Sequence, residues 1–276
     1  MRVANLDGRL VLLTGSGALD VERASGGRFG PDPQGVFDRW AEFVSWADTA
    51  TGGAPYDPAR LGPPVPAPRQ VFAIGMNYRA HAAEAGFETP DRLTVFTKFP
   101  SCVTGPYGTI PLPARGHTDW EVELVVVIGV TARHVRAEDA WKHVAGLAAG
   151  QDLSERIGQL AGPAPQFSLG KSHPGFGPIG PCLVTPDSFD DPDDIELACT
   201  VNSERVQHGR TSDLVFPVPR LIAELSETLP LLPGDLIFTG TPAGVGMGRT
   251  PPRWLAPGDE LVTRVTGVGE MRHLLG

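Results

Sequence analysis

Residues 117–129, His-Thr-Asp-Trp-Glu-Val-Glu-Leu-Val-Val-Val-Ile-Gly, set three acids at alternate positions ahead of an apolar run. Successive side chains of a strand point to opposite faces, so Asp119, Glu121 and Glu123 share one side while Trp120, Val122 and Leu124 share the other. Neighbouring acids of such a set stand roughly 7 Å apart, close enough for two carboxylates to lean onto one cation. Without a cation they repel, and burial then carries a high cost or drives their pKa up. An isolated Asp-x-Glu-x-Glu is more often the solvated face of an edge strand. Here the continuation as Val125-Val126-Val127-Ile128 carries the strand into a core.

The rest of the chain has to supply that core, and 276 residues with 41% hydrophobic content are enough. Residues 1–54 read as a small N-terminal α+β unit: a strand, a Gly-Ser-Gly turn, a second strand, then an amphipathic helix carrying Val36, Phe37, Trp40, Phe43, Val44 and Trp46. The proline-dense stretch 55–69 sustains neither a helix nor a central strand and is expected to be a linker. From residue 70 to 276 strands outnumber helices. A hairpin is expected around Asn202-Ser203, an amphipathic helix over 216–229, and two strands that each follow a Pro-Gly-Asp turn. Residues 137–152 are expected to be helical at first and tighter after. Helices that come singly between strand pairs favour an α+β fold with a mixed or mostly antiparallel sheet, rolled or folded.

Composition excludes some functions. A net charge of −9 argues against a nucleic-acid partner. Three cysteines without Cys-x-x-Cys spacing fit neither a disulfide framework nor a zinc knuckle. No signal peptide and no membrane-spanning run is read, so a soluble cytoplasmic protein is expected.

Among the polar residues, Asp152 is the leading third oxygen ligand for a cation held by Glu121 and Glu123, although an Asp in that place also reads as a helix cap. An all-oxygen set selects Mg²⁺, Mn²⁺ or Ca²⁺ over zinc. His81 and Glu84 lie three apart on a short helical stretch, hence on one face. A carboxylate paired to an imidazole fixes its tautomer and raises its basicity, as a general base for water requires, though a plain surface pair has the same spacing. Lys171, in a loop rich in Gly and Pro, and Lys98 read either as grips on an oxyanion or a substrate carboxylate or as exposed lysines. The glycines at 244, 246 and 248 imitate a dinucleotide loop only loosely: Pro251-Pro252 follow where a helix is required. No Gly-x-Ser-x-Gly elbow is present.

In their order along the chain, "IGMNYRAHAAEAG", "DWEVELVVVIG", "QDLSERIGQ", "GKSHPGFGPIGP" and "LLPGDLIFTGTPAGVG" resemble the fumarylacetoacetate hydrolase family, from about residue 70 to 270. The resemblance implies a mixed β-roll or barrel core of the family's C-terminal type, usually a homodimer, with Mg²⁺ or Mn²⁺ at its mouth. It implies Glu121, Glu123 and Asp152 as metal ligands and His81 with Glu84 as the water-activating pair. Lys171 matches the family lysine. Gln159 and Thr241 match substrate-contacting positions, and Lys98 a lysine near the site. Asp119 matches no ligand position and is expected beside the ligands or in solvent. The sequence departs from the family at Glu155 and Ile157, at Met76 where some relatives carry arginine, and at Pro174. All of these bear on the substrate pocket or its support.

The resulting expectation is metal-dependent hydrolysis of a carbon–carbon bond in an acylpyruvate or related β-diketo acid. The alternatives are decarboxylation or keto–enol isomerisation of a 2-oxo dicarboxylic acid with the same residues, and a catalytically idle binding protein on the same fold.

Overall fold

The structure, a computed structural model, describes residues 1–84, 86 and 88–276. Its main sheet, among those residues, has eleven strands and is mixed. The centre is the strand Val122–Ile128, every residue of which is buried. It pairs antiparallel with Val144–Gln151 on one side and with Leu236–Phe238 on the other. Val71–Gly75 then runs parallel to Leu236–Phe238, and Thr94–Thr97 closes that side. On the far side of Val144–Gln151 lies Gly177–Val184. A second, five-stranded sheet is built on the expected hairpin, Glu196–Val201 with Glu204–Arg210, and on Glu260–Val265, Gly269–Leu275 and Tyr107–Ile110. Asn202 and Ser203 both take positive φ at the hairpin turn, 50° and 69°. The expected α+β class with a mixed, mostly sheet core is what the chain adopts. Among the described residues both sheets keep free edges, so neither closes into a barrel.

The N-terminal strands join this architecture directly. Arg2–Leu6 pairs with Gly177–Val184, and Arg9–Thr14 and Gly17–Asp20 extend the main sheet outward. The expected helix forms as a 3-10 turn, Gly35–Arg39, followed by an α-helix, Trp40–Ala47. Its aromatic face stacks Phe37 on Trp40 and sets Phe29 edge-on to Phe43. Within the proline-dense stretch Leu61 and Val65 are buried, and Leu61–Gly62 pairs with Arg2–Leu6.

Two local expectations need correction. Residues 137–152 are a 3-10 turn, Ala137–His143, followed by the buried strand Val144–Gln151 rather than a helix. The Ala- and Gly-rich composition that reads as helical serves close packing between two strands. A Cβ at Gly150 would stand 2.4 Å from Val125 Cγ2, and one at Gly146 2.7 Å from Leu183 Cγ. Sheet neighbours override local propensity here. The stretch 119–128 is also not one strand: Thr118–Asp119 pairs with Ser154–Glu155 in a separate two-stranded ladder, and the main strand resumes at Val122. No helix among the described residues is long and apolar enough to cross a membrane.

Candidate active site

Glu121 and Glu123 leave the main strand on the side opposite Val122 and Leu124, as the two-residue period requires. Antiparallel pairing sets Val122 against Gln151, so the next residue, Asp152, arrives beside Glu121, whose carbonyl accepts from the Asp152 N–H at 2.9 Å. One carboxylate oxygen from each of Glu121, Glu123 and Asp152 lies within 4.8 Å of the others. All three side chains are buried.

Cations and amide donors surround this cluster. Lys171 Nζ donates to Glu121 Oε2 at 2.7 Å and to Asp152 Oδ2 at 2.5 Å. Lys98 Nζ, fully buried, donates to Asp152 Oδ1 at 2.7 Å and to the Lys171 carbonyl. Arg156 Nη2 lies 2.7 Å from Glu121 Oε1. Glu123 meets no cationic side chain among the described residues and accepts instead from the Gly240 N–H at 2.8 Å. Gly240 has φ +104°, and a Cβ there would fall 2.7 Å from Asn77 Cβ, so only glycine presents this amide without strain.

Electrostatics divide the three acids. Burial works to raise the Glu121 pKa, but the Lys171 and Arg156 cations outweigh it and hold the carboxyl well below the ordinary range. Burial, with the Asp152 and Glu121 carboxylates alongside, pushes Glu123 well above that range. Lys171 is raised although burial opposes it, because Asp152 and Glu121 favour its charge. Four buried carboxylates, counting Asp119, face three buried cations, Lys98, Arg156 and Lys171. The surplus of carboxylates over cations, the convergence of oxygens and the lack of sulfur or imidazole in the set fit a hard divalent cation.

His81 forms part of the wall above. Its Nδ1 lies 3.4 Å from Glu84 Oε2, and because a carboxylate only accepts, Nδ1 carries a proton toward it, which turns Nε2 toward the other side of the ring. Glu84 is fixed in turn by the Gly244 N–H, at 3.0 and 3.1 Å to its two oxygens. Gly248 leaves the room for it, since a Cβ there would come within 2.6 Å of the Glu84 carboxyl carbon.

The cavity between these groups measures about 640 Å³ with its open mouth and is lined by His81, Glu121, Glu123, Gln159, Lys171 and Thr241 among others. Six of the nine expected site residues thus face one space. Asp152 lies beneath the floor and Glu84 behind His81, each held to a residue that lines the cavity. Lys98 is also outside the lining and touches Asp152 rather than the space a substrate would fill.

Two residues not assigned to the site by sequence prove central. Asp119, completely buried, accepts from the Trp120, Gly246 and Met247 N–H groups and from Arg156. Arg156 joins Asp119, Glu121 and, through Nη1 at 2.9 Å, the side-chain amide oxygen Oε1 of Gln159. Asp119 shares the alternation of the two glutamates, which was its signal. Arg156 had none beyond standing four residues after Asp152. Among the departures, Glu155 caps the short helix Arg156–Gln159, accepting from the Ile157, Gly158 and His117 N–H groups, and those three bonds hold its carboxyl low against the effect of its burial.

The family described as fumarylacetoacetate (FAA) hydrolase, C-terminal, matches residues 70–275. The mitochondrial oxaloacetate tautomerase FAHD2A of Homo sapiens is 44% identical over 207 residues, spanning 75% of this chain and 66% of that protein. A crystal structure from Mycobacterium smegmatis, of a candidate HpcE protein, superposes with a TM-score of 0.95 at 59% identity, covering 100% of this chain and 99% of that one. Maleylpyruvate hydrolase from Sphingobium sp. SYK-6, solved with manganese(II) and pyruvate, gives a TM-score of 0.80 at 30% identity over 100% and 98% of the two chains.

Proposed function

This chain belongs to the fumarylacetoacetate hydrolase family, and from that membership we propose that it hydrolyses a carbon–carbon bond in an acylpyruvate or related β-diketo acid. The observation that carries the reading is the convergence of Glu121, Glu123 and Asp152 at the base of a cavity that both glutamates line and whose wall presents His81. These three carboxylates would hold Mg²⁺ or Mn²⁺. A cation there would supply a Lewis acid for the vicinal oxygens of a 2-oxo acid, and the manganese(II) and pyruvate solved with the Sphingobium hydrolase support the choice of metal and of ligand class.

The chain's own groups then divide the work. His81, its Nδ1–H held by Glu84, takes a proton from water at Nε2. The water oxygen bonds to the distal carbonyl carbon, and the bond from that carbon to the adjacent methylene breaks. Its electron pair passes to the methylene, which regains a proton from His81; the products are a carboxylic acid and pyruvate. Lys171 uses two of its three N–H donors on Glu121 and Asp152, which leaves one for the oxyanion that forms at the attacked carbon. Gln159 gives its carbonyl to Arg156 and keeps its NH₂ for the substrate. Thr241 donates to the Val122 carbonyl and accepts from Gln207, so only a lone pair is left for a substrate hydroxyl. Lys98 contributes by holding Asp152. The proposal includes a homodimer, which light scattering checks.

The identity to a human oxaloacetate tautomerase favours a second reading, keto–enol isomerisation of a 2-oxo acid by His81 and Glu84 without added water. Product analysis separates the two, using a panel of acylpyruvates and oxaloacetate with Mg²⁺ or Mn²⁺. Two fragments by mass support hydrolysis. A change of enol absorbance with no mass change supports isomerisation, and release of CO₂ supports decarboxylation.

A further inference from the structure

The cations of the site are already committed. Arg156 is held by Asp119 and Glu121, Lys171 by Glu121 and Asp152, and Lys98 by Asp152. Among the described residues no other lysine or arginine lines the cavity. With a divalent cation bound and Glu123 ionised against it, four buried carboxylates, three buried cationic side chains and the metal sum to one positive charge. The carboxylate of a single 2-oxo acid offsets that charge, and Glu84 behind His81 adds a further carboxylate.

The remaining walls are apolar: Ile74, Met76, Phe96, Leu160, Phe167 and Met247. Phe96 and Phe167 meet edge to face with centroids 5.6 Å apart, and the Lys171 ammonium lies 4.9 Å from the Phe96 ring centroid. Leu160, 49% exposed, continues this surface to the mouth.

We propose that the substrate's tail is apolar and uncharged, making the preferred ligand a 2-oxo monocarboxylic acid with an aliphatic or aryl end rather than a dicarboxylic acid. A second carboxylate entering this space would lose its water among methionine, leucine and phenylalanine side chains and find no free cation, an expensive burial. An alkyl or aryl tail exchanges water for those same side chains and gains from its burial. The inference rests on the 2-oxo acid reading of the site and adds the class of substrate.

The probes are 2-oxohexanoate and 2-oxoadipate, of equal chain length, titrated calorimetrically into the full-length protein loaded with Mn²⁺. The monoacid is expected to bind at least about tenfold tighter, a factor that 1.4 kcal/mol supplies. Equal or tighter binding of the diacid overturns the inference. Met76→Arg, on a half-buried side chain of the apolar wall, is expected to narrow or invert the preference, with Met76→Leu retaining it; an unchanged ratio in a folded Met76→Arg protein overturns the inference as well. Product analysis on hexanoylpyruvate and fumarylpyruvate keeps the two ideas separable. Monoacid preference without cleavage of any acylpyruvate defeats the proposed hydrolysis alone. Cleavage with diacid preference defeats the tail assignment alone, and binding of neither probe together with no cleavage defeats both.

Discussion

The guanidinium of Arg156 meets Oδ2 of Asp119 through both Nε and Nη2, at 2.9 and 2.8 Å, with both side chains buried. The same carboxylate accepts from the N–H groups of Gly246 and Met247. One acid therefore fixes two parts of the cavity lining, Arg156 and Met247. Asp119→Asn would put an NH₂ against donors and leave Arg156 short of one charge. The expected cost is about 3 kcal/mol in urea unfolding, the usual scale for breaking a buried ion pair from one side, with a raised KM for any substrate. A loss under about 1 kcal/mol would show that Asp119 is dispensable.

Glu123 gives a contrasting case, because it sits among carboxylates without a cation of its own. Glu123→Gln removes a buried repulsion, so in the absence of metal the variant should melt at the same temperature or higher. Its Mn²⁺ affinity should fall by about 100-fold, at the upper end of what site substitutions do to metal binding. Calorimetry and thermal unfolding with and without Mn²⁺ check both halves. A large loss of stability without metal would mark Glu123 as structural instead.

What the sequence reveals and what it hides follow the reach of the interactions. Glu121 and Glu123 are legible because strand alternation is local and the apolar run beyond them marks burial. The placement of Asp152 depends on the register of Val144–Gln151 against Val122–Ile128, which no local pattern states; the sequence offers Asp152 as a third ligand but equally as a helix cap, and the family resemblance favours the ligand. Arg156 and Asp119 are 37 residues apart and meet through folding alone. The strand at 144–151 was misread because Ala and Gly, chosen for close packing against Val125 and Leu183, also favour or permit other conformations. Lys98, expected among the substrate-contacting residues, is completely buried and bonded to Asp152 outside the cavity lining, a placement that only the three-dimensional structure states.

His81 and Glu84 should separate in their effects. His81→Ala removes the only imidazole among the cavity-lining residues and is expected to lower kcat by about 10²–10⁴. Glu84→Gln keeps a hydrogen-bond acceptor for His81 but not its charge, so a smaller loss, about tenfold, is expected. Mn²⁺ affinity should change in neither variant, since neither residue belongs to the carboxylate cluster. Stopped-flow turnover with parallel metal titration checks this. A His81→Ala enzyme of unaltered kcat would remove the proposed base.

His273, outside the carboxylate cluster and the cavity lining, governs a pH effect on folding. It is buried on the strand Gly269–Leu275, donates from Nε2 to the Gly105 carbonyl at 2.9 Å, and has no partner at Nδ1 among the described residues. Burial lowers its pKa below the usual 6.5, with the Gly105 carbonyl opposing. The unfolded chain therefore takes up a proton near pH 6.5 while the folded chain does not. More protons on the unfolded state mean that stability is intact above about pH 7 and declines as pH falls through 6.5, until the folded-state pKa is reached. The slope from one such group reaches at most about 1.4 kcal/mol per pH unit. Urea unfolding between pH 7.5 and about 5 should show this decline in the parent protein. His273→Gln keeps an N–H donor for Gly105 but does not titrate, so its curve should be flatter over the same window. Identical slopes for the two proteins would assign the acid sensitivity to other groups.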